Sequence, residues 1–242
     1  MKRNIIYALL CAAALMGSSC KKDNYTAPDA GISGALTDAG GKALQLEQGK
    51  GSARIKLEEL SWSNNPTAQD LNFLQDGRYS NNKLFAGRYR VAPFDGPFYP
   101  LDSAQMKTVE LTSGNTTVAD FKVVPYLNVD FAGEPVVTAD KKISVSFKFT
   151  RNAAPAGKTQ PAPLDYQLFI STTQYVGNNN FDNTRVGGVV AATAAMENQV
   201  LTISSSQPMK YATTYFIRIG VRVNDAFKKY NYTTVKTVQV PN

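Results

Sequence analysis

Apolar residues return at every second position along much of this chain. Ala119, Phe121 and Val123 alternate with Asp120 and Lys122, and the same rhythm runs through Ile143, Val145, Phe147 and Phe149, through Tyr166, Leu168 and Ile170, and through Tyr215, Ile217, Ile219, Val221 and Val223. Successive side chains of a strand point to opposite faces, so each run predicts a half-buried β-strand. Shorter strands are predicted over 32–36, 53–57, 88–91, 106–111, 127–131, 200–203 and 232–240, and Asp76-Gly77, Ala86-Gly87 and Gly114-Asn115 supply turn residues between them. No long helical period competes. Arginines within these runs, Arg88 and Arg90 and again Arg218 and Arg222, fall on the polar face and read as solvated.

The expected architecture is all-β, with two consecutive sandwiches. The last strand of the first half ends at Pro125 and a new alternating run starts at Leu127, which sets a boundary near Tyr126 and modules over 28–126 and 127–242. Roughly seven strands in the second half fit an immunoglobulin or fibronectin-III sandwich. Tyr211 and Tyr215 are the two candidates for its buried corner tyrosine. Little contact between modules makes a jointed rod; a large interface makes a stiff one.

Composition narrows the chemistry. Of the 242 residues 43% are hydrophobic and 19% charged, enough apolar material for a core. There is no histidine, and both cysteines, Cys11 and Cys20, lie in the first twenty residues. The body therefore has no means of building a Ser-His-Asp or Cys-His system, a histidine- or cysteine-ligated zinc site or an internal disulfide. No cofactor and no metal are expected. The net charge of +7 is scattered, and the densest basic pair, Lys228-Lys229, is too small for a nucleic-acid groove, so no nucleic-acid partner is expected.

The first residues carry an address. Lys2 and Arg3 precede an apolar stretch from Ile5 to Met16, and Gly17, Ser18 and Ser19 lead to Cys20. The stretch is too short to span a bilayer, which takes about 20 apolar residues, and reads as a signal peptide over 1–19. Small residues before a cysteine resemble the bacterial lipoprotein signal, which implies acylation of Cys20 and a lipidated tether over 20–27. The run Cys20-Lys21-Lys22-Asp23-Asn24 resembles the signal that sends Bacteroidetes lipoproteins to the outer face of the outer membrane.

Longer motifs point to families. Gly34-Ala35-Leu36-Thr37-Asp38, Gly40-Gly41-Lys42-Ala43-Leu44, Asp76-Gly77-Arg78-Tyr79 and Leu84-Phe85-Ala86-Gly87-Arg88-Tyr89-Arg90-Val91 resemble the carboxypeptidase-regulatory, transthyretin-like sandwich, and imply a fold without a chemistry. Tyr25-Thr26-Ala27-Pro28-Asp29, Gln48-Gly49-Lys50-Gly51, Glu59-Leu60-Ser61-Trp62 and Gly87-Arg88-Tyr89-Arg90-Val91 with Gly96-Pro97-Phe98 are similar to DUF3823, a Bacteroidetes lipoprotein family. That resemblance implies a place beside a SusC/SusD-type transporter in a polysaccharide-utilisation system.

The expected function is a non-enzymatic accessory or glycan-binding lipoprotein; the alternatives are a structural or adhesin-like spacer and, less favoured, a glycan hydrolase. Glu58 and Glu59 are adjacent on a strand and face apart, and Asp70, Asp76, Asp95 and Asp102 sit where turns want aspartate. Ser80-Asn81-Asn82-Lys83 matches a Ser-x-x-Lys pattern but lies between strands, where a helix start is needed. Sugar recognition needs flat aromatic faces with amides for the hydroxyls. Trp62 with Asn64 and Asn65, Phe98 with Tyr99, and Tyr175 with Asn179 and Phe181 offer that mixture. Each aromatic has a competing reading as a core or loop-pinning residue.

Overall fold

The computed structural model describes residues 26–49 and 51–242; the expected signal peptide, Cys20 and the start of the tether lie outside the described residues. Period-two patterning becomes two β-sandwiches in succession. In the first, Ala30–Thr37 runs antiparallel to Arg78–Leu84 and parallel to Thr116–Val118 and Phe121–Lys122. The facing sheet orders Gln69–Asn72, Arg54–Glu59, Gly87–Phe94 and Lys107–Leu111, all antiparallel. Ile32, Leu36, Ile55, Leu57, Tyr79 and Val91 close the core between them.

The run expected as one strand over 118–124 is broken in two. The Asp120 carboxylate accepts the Ala35 N–H at 2.8 Å in place of a ladder carbonyl, and the Ala119 carbonyl accepts the Tyr79 hydroxyl at 2.5 Å. A Cβ on Gly34 would stand 2.3 Å from that same carbonyl, so glycine is what lets the two backbones approach. Strand Gln69–Asn72 escaped sequence reading because it is a polar, largely exposed sheet edge with no alternation to detect.

In the second sandwich Ile143–Arg151 pairs with Leu127–Phe131, Val136–Val137 and Leu201–Ser204. Pro163–Ser171 and Thr214–Val223 form the centre of the other sheet, flanked by Val190–Ala191, Tyr230–Tyr232 and Lys236–Gln239. Val145, Phe147, Phe149, Leu168, Ile217 and Ile219 are buried in its core. Tyr215 is the corner tyrosine: it is buried, and its hydroxyl accepts the Tyr211 N–H at 3.1 Å, while Tyr211 is exposed.

One face was misread from the sequence. Alternation puts Arg218 on the outer side of Thr214–Val223, opposite Ile217 and Ile219, but that side is not in water: Arg218 is 0% exposed. The first module covers it. Arg218 Nη1 donates to the Leu46 carbonyl at 2.8 Å, Nε donates to the Thr233 carbonyl at 3.0 Å, and the guanidinium lies 4.2 Å from the Tyr232 ring centroid. Glu47 spans the same seam, accepting the Tyr232 hydroxyl and the backbone N–H groups of Asn178 and Asn179 at 2.9 and 3.0 Å. Gln75 reaches the Gln174 carbonyl and Asn231 the Pro97 carbonyl, both at 2.9 Å. Tyr99, although it belongs to the first module, packs into the second module's core. The pair is thus joined by a stiff interface and is not a jointed rod.

Candidate functional site

Trp62 lies in the turn after strand Arg54–Glu59 and is 87% exposed. The reading of Trp62 as a plug for its sandwich is therefore wrong. Local chemistry explains the exposure. The chain leaves the strand through a polar turn in which Ser61 Oγ accepts the Arg88 N–H at 3.1 Å and Ser63 Oγ accepts the Asn65 N–H at 3.1 Å. The turn is thereby fixed while its indole is left in solvent.

Phe85 lines the same cleft as the indole, 52% exposed just after strand Arg78–Leu84, where Ala86-Gly87 reverses the chain. Gly87 has φ +155°, and a Cβ on it would lie 2.6 Å from Ser61 Oγ, so the reversal packs directly against the Trp62 turn. Trp62 and Phe85 form the aromatic walls of an open cleft of about 650 Å³. Its remaining lining comes from Thr26 to Asp29, Glu59, Ala86 and Ser113, mostly apolar surface with a few polar groups. Asp29 accepts the Ser113 hydroxyl at 2.8 Å. No cation lines the cleft among the described residues.

The other expected site residues are placed differently. Asn64 and Asn65 are exposed on the Trp62 turn but do not line the cleft. Phe98 and Tyr99 are 2% and 3% exposed, and the sugar-binding surface expected from them is not formed. Phe98 fills the first core; Tyr99 packs edge-on to Tyr126 with ring centroids 4.7 Å apart, its hydroxyl donating to the Asn152 carbonyl at 3.1 Å. A proline-glycine loop carrying aromatics reads as a display loop, but here it is the route by which the first module enters the second.

The asparagine-rich loop also faces the seam. Asn179 donates its N–H to Glu47 and its side chain reaches the Gln48 carbonyl at 3.4 Å. Phe181 is half-buried, edge-on to Phe169 at 5.2 Å. Tyr175 is exposed but joins neither aromatic of the cleft. Phe85, Asp29 and Ser113 were not anticipated as site residues. An aromatic immediately before the Ala86-Gly87 turn was the available signal for Phe85; Asp29 and Ser113 come together only through the fold.

The carboxylates examined for catalysis are mostly engaged. Arg54 pairs with both Asp70 and Asp95, Arg90 with Glu58 at 2.5 Å, Arg78 with Asp76 at 2.6 Å and Lys158 with Asp102 at 2.7 Å. Ser80 and Lys83 lie on strand Arg78–Leu84 and not at the start of a helix, where that chemistry needs them. Among the described residues no group of three or more acidic, histidine or cysteine side chains gathers to hold a metal, and no helix is long and apolar enough to cross a membrane.

Fold and cleft together define a two-sandwich, all-β protein with an exposed aromatic cleft on its first module. The sequence profile of the DUF3823 N-terminal domain, a protein of unknown function, matches residues 30–124, and that of its C-terminal domain of unknown function matches residues 133–237. The chain belongs to the DUF3823 family. A DUF3823 family protein from Bacteroides uniformis is 26% identical, with a TM-score of 0.78 over 88% of this chain and 100% of that one. A candidate carbohydrate-binding protein from the same species is 27% identical, with a TM-score of 0.67 over 88% of this chain and 99% of that one. A family member from Parabacteroides merdae, 22% identical, shares the fold with a TM-score of 0.67 over 88% of this chain and 100% of that one. None of the curated proteins compared with the chain matches it.

Proposed function

We propose that this chain is a lipid-anchored, non-enzymatic glycan-binding accessory of a SusC/SusD-type polysaccharide-utilisation system, held at the outer face of the outer membrane, with the Trp62–Phe85 cleft as its sugar contact. The observation that carries this reading is the exposed indole sharing one cleft with a second exposed ring. Burying large apolar rings is favourable, and a monomer keeps such a pair in water where a ligand covers it. Pyranose C–H faces stack on rings of this kind, and Asp29, Glu59 and Ser113 supply hydrogen-bonding groups for the hydroxyls. Similarity to the candidate carbohydrate-binding protein of Bacteroides uniformis supports the same reading.

The cleft also has a position relative to the expected anchor. Thr26 to Asp29 line it, and Cys20 precedes Thr26 by six residues. At no more than about 3.6 Å per residue, an acylated Cys20 keeps the cleft within roughly 22 Å of the attachment point. Glycan is thus held close to the membrane and to any transporter there.

Trp62 is the sole tryptophan, so its fluorescence reports the site directly. Affinity electrophoresis of the full chain on a polysaccharide panel is expected to show retardation by at least one glycan, with a shift in indole emission. Trp62→Ala is expected to weaken binding by about 2 kcal/mol, roughly thirtyfold, as at other aromatic anchors. Retardation unchanged in Trp62→Ala overturns the assignment of the site. Asp29 and Glu59 share the cleft, which favours hydrolysis as the second reading; release of new reducing ends from a bound glycan would establish it in place of simple binding. A membrane protein co-purifying through the cleft, with no glycan retained, would establish the spacer reading.

A further inference from the structure

Two carboxylates, Asp29 and Glu59, line the Trp62–Phe85 cleft, and no cation does so among the described residues. They are held differently. Asp29 accepts the Ser113 hydroxyl at 2.8 Å, whereas Glu59 accepts nothing from the described residues. Of the carboxylates among those residues only Glu59 and Glu110 make neither a hydrogen bond nor an ion pair; Glu110 is exposed, and Glu59 is half-buried.

The neighbours of Glu59 are committed elsewhere. Arg90 and Lys56 pair with Glu58, at 2.5 and 3.8 Å, on the other face of the strand. Tyr89, opposite Glu59 in the strand ladder, donates its hydroxyl to the Phe85 carbonyl at 3.1 Å. Glu59 Oε1 borders the Ala86-Gly87 reversal that follows Phe85, 3.4 Å from where a Cβ on Gly87 would stand. A partly desolvated carboxylate with no donor in the fold is satisfied by donors that enter beside it.

We propose that the Trp62–Phe85 cleft takes neutral glycans and turns acidic ones away, and that Glu59 is the residue that sets this preference. The proposal rests on the glycan reading of the cleft given above. A neutral sugar brings hydroxyl donors to Glu59 and Asp29 while its C–H face lies against the rings. A uronate or a sulfated sugar brings a like charge toward two carboxylates, and no cation in the lining compensates it. Like charges a few ångströms apart at a partly desolvated surface lower affinity by about tenfold or more. The chain as a whole has a net charge of +7 and attracts polyanions wherever they touch it, so the preference has to be measured at the cleft itself.

The emission of Trp62, the sole tryptophan, gives that local readout. The full chain is titrated with pullulan, laminarin, galactomannan and xyloglucan, and with each of these polymers after oxidation of its free C6 alcohols to carboxylates. At least one neutral polymer is expected to shift the emission, with its oxidised partner about tenfold weaker or more at roughly 10 mM salt and the gap narrowing at about 1 M. Glu59→Gln is expected to weaken the neutral polymer about threefold and to tighten its oxidised partner by a similar factor, closing most of the gap. Changes in opposite directions do not arise from a loss of folded structure, and the salt dependence of the parent chain tests the preference without any substitution. Equal affinity for the two forms, tighter binding of the oxidised form, or a Glu59→Gln variant that weakens both alike overturns this assignment and leaves the sugar contact at Trp62 standing. No emission change with any of the polymers overturns the sugar contact and this preference together.

Discussion

At the seam Arg218 has given up all its contact with water and takes carbonyls from both modules; at the first module's cleft Trp62 keeps most of its surface in water and shares the cleft with one other exposed ring. Trp62 sits in a polar turn, whereas Arg218 interrupts an apolar strand. They differ in what their surroundings complete. Arg218 donates through Nε and Nη1 to fixed carbonyls and lies over the Tyr232 ring, so much of the cost of its burial is offset within the fold, while Nη2 is buried without a hydrogen-bond partner. Nothing in the described fold completes the surroundings of Trp62. The structural role here is read from burial against the fold's own groups, and recognition from exposure.

The largest effect expected of any substitution lies at Arg218. Arg218→Ala leaves the Leu46 and Thr233 carbonyls buried without their donor and opens a void, and is expected to cost about 3–5 kcal/mol. At about 2–4 °C per kcal/mol for a chain of this size, the melting temperature followed by circular dichroism should fall by roughly ten degrees. Calorimetry of the unsubstituted chain should show one transition; two resolved transitions would break the claim that the seam unites the modules. Glu47→Ala removes a charged acceptor from three donors and should cost about 2–3 kcal/mol.

Alkaline pH probes the same seam. Burial raises Tyr230 to about 12, and burial together with the Glu47 carboxylate holds Tyr232 well above its ordinary value. Tyr89 and Tyr126 are likewise raised by burial to about 12. These phenols ionise near pH 10 in the unfolded chain but not in the fold, so their contribution is complete below pH 10 and is lost as pH rises toward 12. Burial lowers Arg218 to about 10, and this works in the opposite sense, adding stability above that pH. Four tyrosines outweigh one arginine. Melting temperature should therefore fall between pH 10 and 12, and a flat profile there would contradict the burial assigned to these rings.

The smallest stability effect should come from Trp62→Ala, within about 0.5 kcal/mol of the parent by denaturant titration. That substitution is the one expected to remove glycan retention. A loss of several kcal/mol would mean that the indole supports the fold, and would erase the contrast with Arg218.

Strand alternation made both sandwiches legible, because half-buried strands write their burial directly into every second residue. What the alternation does not encode is whether the outer face of a strand meets water or another module. Arg218 reads as solvated by that rule, and Phe98 and Tyr99 read as displayed, because the contacts that bury them come from segments far away in sequence. Trp62 was legible as a candidate from its rarity and its polar neighbours. Phe85 was not, since a single aromatic at a turn carries no period and its proximity to Trp62 depends on the Ala86-Gly87 reversal.

The Leu46 carbonyl that Arg218 requires comes from one recognised family segment, and Arg218 itself from the other. The two halves are therefore poor interchangeable parts. A gene fusion or expression clone cut between residues 124 and 133 would strip a cation of its cage on one side and bare a row of thirsty oxygens on the other. Heredity is expected to pass them on as a single cassette.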